Sequence, residues 1–313
     1  MSPAGDLPQA TEAGEGDLPE AAGRRLSADS FSSGLTVPDF AACLQMGLRP
    51  VSLVQGFCVM QWGWYGANSP YMRGMSPYAL GGGHQGGYSQ NWHCPHGFVS
   101  AEHRAWGQNL EQPWVEAAWS QGFSSAYQRL IEEAKEVGAH GVIGVRDTSR
   151  ILTDSNVTEF HIIGTAVVVE DAPPPPGGEP WSTYLAGQRL AKLVEAGFMP
   201  ISVVAAIASV RIWAYCMTEY LMEGRAYAWG QAAGAVQEIE QITAGHVAVR
   251  ELAREHVRKQ LASDTLHGAS IESAEREVGA GDQVLECVVR GTRVRSFKDF
   301  DPVPAPQPTV RLT

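Results

Sequence analysis

The side chains best suited to chemistry crowd into one stretch. His84, His93, Cys94, His96 and His103 fall within twenty residues. In the run His93-Cys94-Pro95-His96, two imidazoles and a thiolate stand close together, a set that zinc or copper would accept. The pair His93 and His96 straddles a proline and matches no standard ligand spacing. The surrounding segment, about residues 66–109, is rich in glycine, tyrosine and asparagine, which reads first as a mobile loop. A metal site on His93, Cys94 and His96 is the sharper reading of the same residues. The run Gly81–Gly87, GGGHQGG, follows no strand and opens no helix, so it lacks the context of a phosphate cradle.

Outside that stretch the reactive groups are sparse. Glu159 and His161 are two apart on a predicted strand and so share one face, where a carboxylate and an imidazole could bind metal or exchange protons. Interface or surface packing is the plainer reading. Six tryptophans lie between Trp62 and Trp119. Core and interface packing accounts for them, and a flat aromatic surface that stacks a ring-shaped ligand is the alternative. No G-x-S-x-G, H-E-x-x-H or Walker pattern occurs, and no nucleophile–base–orienter set is visible. A non-enzymatic protein is expected.

The elements that carry these residues repeat. FSSGLTVPDFAACLQMGLRPVSLVQG from Phe31 lies over WSTYLAGQRLAKLVEAGFMPISVVAA from Trp181 at an offset of 150, matching Leu35/Leu185, Gly47/Gly197, Pro50/Pro200 and Val54/Val204. Further on, an offset of 127 sets His140 on His267, Gly141 on Gly268, Glu159 on Glu286 and Gly164-Thr165 on Gly291-Thr292. The chain reads as a tandem duplication whose first copy has the longer middle. Each copy predicts a short helix (Val37–Met46; Gly187–Ala196), a β-branched strand (Pro50–Met60; Pro200–Ile212) and a long helix. In the first copy that helix carries Trp119, Phe123, Tyr127, Leu130 and Ala134 at helical spacing; in the second it is placed at about Val247–Leu266. Two strands close each unit, Val142–Ile151 with Glu159–Val169 and Ser270–Val278 with Gln283–Phe297. The class is α+β, not alternating α/β. If the copies form a ring, His140 and His267 at one turn would give a ligand or proton-sensing layer, while an exposed turn residue is the bland reading. The repeated Glu159 and Glu286 suit a structural role, and Val288 replaces the histidine in the second copy.

The chain has 313 residues and a net charge of −11, which argues against a nucleic-acid partner. Residues 1–28 are acidic with little to bury and read as a disordered tail, followed by a first domain at 29–171. A proline-rich linker at 172–180, a second domain at 181–300 and a proline-rich tail at 301–313 complete the order. Five dispersed cysteines without C-x-x-C suggest reduced thiols, and the longest apolar run, Ile201–Ala208, is too short to span a bilayer. A cytoplasmic protein without a membrane partner is expected.

The motifs GLRPVSLVQGFCV, GAHGVIGV and EFHIIGTAV resemble the YbjQ-like "putative heavy-metal-binding" family, in its longer two-domain actinobacterial form. The match covers about Gly34–Val169. The second copy is degenerate, with GTRV in place of GTAV. The resemblance implies two tandem dodecin-like βαββ units, each behind its leading helix. It also implies five-membered rings, as in single-domain relatives. It names no ligand set, and this chain lacks the C-x-x-C that would hold a soft metal. Self-assembly with a small ligand or a protein partner is the expected function, and metal binding the alternative. An interface enzyme is a third reading. Two-domain chains cannot fill one five-membered ring, so either five chains stack two rings or the copies pair within a chain.

Overall fold

A computed structural model describes residues 31–61, 107–152, 157–173, 175–222, 238–279 and 282–298, with Ala22, Gly23 and Leu26 besides. His84, His93, Cys94, His96 and His103 lie outside the described residues, as do Trp62 and Trp64, the acidic tail apart from those three positions, and the tail at 301–313.

In the first half, Thr36 caps α1 (Val37–Gln45). Its hydroxyl accepts from the Asp39 amide at 3.3 Å and donates to the Asp39 carboxylate at 2.6 Å. Strand β1 (Leu48–Gln61) follows, then a short β2 (Asn109–Glu111) and the long α2 (Pro113–Glu136). Strands β3 (Gly141–Leu152) and β4 (Val157–Val169) form a hairpin. The second half begins with the two-residue β5 (Trp181–Ser182), α3 (Gly187–Glu195) and β6 (Phe198–Ile212). A short α4 (Cys216–Met222) precedes α5 (Glu240–Leu261), and the hairpin of β7 (Thr265–Gly279) with β8 (Asp282–Ser296) ends the fold.

The first sheet runs β1-β4-β3-β5 and the second β2-β6-β8-β7. Each sheet therefore ends on a strand lent by the other half. β2, from the end of the segment read as an insertion, pairs antiparallel with β6, while β5 pairs parallel with β3. The α+β class holds, because both hairpins are antiparallel and the helices do not alternate with the strands.

The layers are first sheet, α2, second sheet, α5. One core joins Trp119, Phe123, Ala126 and Leu130 of α2 to Val54 and Phe160 below and to Val203, Ala205 and Ile207 above. A second joins Val204, Ala206, Ala208 and Val210 to Val249, Ala253 and Val257 of α5. Strand β6 is thus buried on both faces, which explains the unbroken apolar run at Ile201–Ala208. Strand β1 alternates instead, with Val54 and Cys58 buried and Phe57 and Val59 exposed. Gly56 lets the chain reach α2, since a Cβ there would stand 1.7 Å from the Ala126 carbonyl oxygen. A third cluster seats Cys43 of α1 and Leu190 of α3 with Leu48, Val167 and Val294 at the ends of the sheets.

Three sequence expectations need correction. The helix placed at Val247–Leu266 begins at Glu240 and stops at Leu261, where Ala262 turns to φ 53°. Strand β7 starts at Thr265 rather than Ser270. It is exposed along nearly its whole length, so it carries no apolar alternation to mark its start. The offset of 127 holds along β4 and β8 but slips by three residues on the preceding strands. The bulge in β3 lies between Ile143 and Arg146 and that in β7 between His267 and Ser270, so Gly268 (φ 64°) stands with Gly144 (φ 59°), not with Gly141.

Candidate metal centre

The slip separates the two histidines that the sequence had superposed. His140 sits before β3, where its Nδ1 accepts from the Val169 amide at 3.2 Å and its Nε2–H donates to the Pro173 carbonyl at 3.0 Å. Both ring nitrogens are used in holding the turn. His267 lies in β7 beside the bulge, exposed. Glu159 pairs with Arg150 at 3.4 Å on the open face of the first sheet, and His161 meets Phe57 edge to face on that same face. Glu286 pairs across with Ser209 on the face of the second sheet turned toward α2, and burial raises its carboxyl pKa. Among the described residues, none of these five groups joins another in a candidate metal set. Trp119 stacks on Phe123 at 5.2 Å inside the core, so it is packing rather than a ligand platform.

A different set does converge, where the lent strand β2 meets the second half. The Gln112 amide donates to the Ser209 carbonyl at 2.8 Å and the Ser209 hydroxyl to Gln112 Oε1 at 3.0 Å, which fixes the end of β2 on β6. Glu111 ends that strand and Glu116 lies in the first turn of α2. His256 comes from α5, where the register of Val249, Ala253 and Val257 turns it inward, and it is only 6% exposed. Its Nδ1 is 2.9 Å from the Ile207 carbonyl, which can only accept. The proton is therefore assigned to Nδ1, and in the neutral ring Nε2 keeps a free lone pair.

Glu111 Oε1 is 3.7 Å from Nε2 and Glu116 Oε1 is 3.3 Å from Nδ1. One candidate ligand atom from each residue lies within 4.8 Å of the others. Ligand atoms about 2.0–2.2 Å from a tetrahedral zinc stand roughly 3.3–3.6 Å apart, so both glutamates, 37% and 33% exposed, would have to turn toward Nε2 to complete a site. Two carboxylates and one imidazole suit zinc or manganese better than a soft ion that demands thiolate. With His256 protonated, the same groups instead form an ion-pair bridge between α2, β2 and α5. Among the described residues, Cys43, Cys58 and Cys287 are free and buried, and burial raises the Cys43 and Cys287 thiols, which makes those two poor thiolate donors.

No spacing signal could have joined Glu111 to His256 across so much chain. The usable hint was helical periodicity, which places His256 on the same face as Val249, Ala253 and Val257.

Among curated proteins, the chain is similar to a protein named "Encapsulin nanocompartment protein" from Mycobacterium tuberculosis (strain ATCC 25618 / H37Rv). The two are 26% identical over 271 residues, covering 85% of this chain and 86% of the relative. No solved structure gives a significant match. Among the described residues no helix is long and apolar enough to cross a membrane. Residues 113–170, which span α2, β3 and β4, match the YbjQ_1 family model, described as "Putative heavy-metal-binding".

Proposed function

We propose that this chain is a non-enzymatic, self-assembling cytoplasmic protein built from two YbjQ-like units in tandem, and that it binds a ligand or partner in the assembled state. The observation that carries the reading is β7, a fifteen-residue end strand exposed on both faces over residues 267–277. Such an edge is a ready template for pairing, and soluble proteins normally shorten, cover or pair it. The similarity to a protein named for a nanocompartment supports assembly, and the free, buried cysteines suit a reducing compartment. The decisive measurement is the mass of the full chain by light scattering at micromolar concentration. A defined multiple of the chain is expected, and a strict monomer at every concentration overturns the reading.

A second reading, a divalent-cation protein, is favoured by Glu111, Glu116 and His256. Titration calorimetry of the full chain with zinc tests it. One site lost in the doubly substituted Glu111→Gln, Glu116→Gln protein and kept in His93→Ala, Cys94→Ala supports this centre. The reverse pattern would move the site to His93, Cys94 and His96.

A further inference from the structure

Inside one chain the two halves meet head to tail, and among the described residues half of that contact is left open at each end. The segment 181–185 runs beside β3. The Trp181 amide donates to the His140 carbonyl at 3.2 Å and the Thr183 amide to the Val142 carbonyl at 2.9 Å. In return the Gly144 and Val145 amides donate to the Leu185 and Thr183 carbonyls at 2.8 and 3.0 Å. These two donors belong to the β3 bulge, and β7 repeats that bulge at Gly268 and Ala269. Among the described residues no strand pairs with the outer edge of β7.

The matching segment exists at the other end of the chain. Residues 31–35 sit on the first sheet as 181–185 sit on the second. The Gly34 amide donates to Thr165 Oγ1 at 3.1 Å, as the Tyr184 amide does to Thr292 Oγ1 at 3.2 Å. The Leu35 amide donates to Ser33 Oγ at 3.1 Å, as the Leu185 amide does to Thr183 Oγ1 at 3.0 Å. The segment is therefore already bent to the shape that pairs with a bulged strand edge.

A second observation points to the same docking. Phe57 and Val59 of β1 pair across with His161 and Glu159, as Ile207 and Ser209 of β6 pair with Val288 and Glu286. Ile207 and Ser209 are 3% and 1% exposed, because α2 and Gln112 cover them. Phe57 and Val59 are 45% and 49% exposed. The face that is covered in the second half is half-exposed at these positions in the first, with no described helix over it.

We infer that a second copy of this chain seats its residues 31–35 along the outer edge of β7, repeating between chains the contact of 181–185 with β3. In the same docking α5 of the first copy lies over Phe57 and Val59 of the second, as α2 lies over Ile207 and Ser209. The equivalence of the helices follows from Glu133, which accepts from the Gln55 amide at 2.7 Å, and Gln260, which donates to the Ala205 carbonyl at 3.1 Å. Arg250 and Arg254 then stand where α2 has Phe123 and Tyr127, so the contact between chains is the more polar and salt-sensitive of the two. Such a contact is heterologous and closes into a ring, or runs on as a filament, with two units per chain.

The inference rests on the self-assembly reading and is tested apart from it. Light scattering is recorded for the wild-type chain and for Phe57→Glu, Ser33→Pro and Ala269→Pro, with circular dichroism and melting of each. Phe57 is exposed in the single chain, and proline is tolerated on an outward-facing edge amide, so folded variants are expected. Phe57→Glu and either proline should raise the dissociation concentration at least tenfold with melting of the dissociated chain unchanged. If the wild type assembles and Phe57→Glu and Ser33→Pro keep its mass at every concentration, this interface is wrong while self-assembly stands. A wild-type monomer overturns both. Should Ala269→Pro fail to fold, the other two variants decide alone.

Discussion

Arg290→Met isolates the polar contact that ties the two sheets. Arg290 of β8 places its Nε 2.6 Å from Asp147 Oδ2 of β3, and their side chains are only 11% and 5% exposed. A second contact, to Glu272 at 2.6 Å, lies at the surface and adds little. Removing the guanidinium leaves the Asp147 carboxylate buried without its counter-charge, beside the Tyr184 phenol. Burial, and then the Asp147 charge, already raise that phenol's pKa. Breaking one partner of a buried pair costs about 3–5 kcal/mol, whereas replacing both by apolar groups is often neutral. At about 2–3 °C per kcal/mol for a chain of this size, the melting temperature should fall by about 6–15 °C at pH 7. Asp147→Asn added to Arg290→Met should restore most of the loss, because the buried carboxylate is then gone with its partner. A single variant melting within 1 °C of wild type at pH 7 would refute the claim that this pair is buried and coupled.

Gly56→Ala should cost more than about 3 kcal/mol, above the usual overpacking range, because its Cβ would meet the backbone of Ala126 and not a movable side chain; denaturant unfolding reads it. Asp264 is held down to about 2 by the hydrogen bond from Arg295, with burial opposing and Arg293 adding to the effect. A carboxylate with a depressed folded pKa stabilises above its unfolded pKa and loses that contribution as pH falls toward 2. The acid limb of the stability curve should therefore flatten in Asp264→Asn, and an unchanged slope between pH 4 and 2 would contradict the assignment. His256→Leu should leave zinc binding at less than a tenth of its wild-type affinity if the Glu111, Glu116 and His256 centre is real, and calorimetry checks this on folded protein.

What could be read from the sequence was local. The short helices are fixed by residues within a turn of each other, and they end at Gln45 and Glu195, just before Gly47 and Gly197. Strand β7 resisted because no described residue covers it, and a strand exposed on both faces has no apolar period to read. The slip between Gly144 and Gly268 resisted for a related reason. Matching letters, His-Gly at both places, outvoted a backbone demand for positive φ that only the bulge reveals. The run Ile201–Ala208 was readable as buried but not as buried twice, since α2 covers one of its faces from the far side of the chain.

The candidate centre shows why the site was harder to read than the fold. Glu111 reaches His256 only because β2 leaves its own half and pairs with β6, and that exchange has no signature in composition or spacing. Three residues, Asn109–Glu111, are too few for a strand pattern, and their pairing partners begin about a hundred residues later. The same exchange makes the site conditional on how the halves pack. Any substitution that loosens β2 from β6 should lower zinc affinity without touching a ligand. Ser209→Val is the sharpest case, since it removes the hydroxyl that holds Gln112 and leaves Glu111, Glu116 and His256 in place. If Ser209→Val weakens zinc binding several-fold while the fold melts near the wild-type temperature, the centre depends on the exchanged strand. If binding is unchanged, Glu111 is not a ligand and the centre must be sought elsewhere.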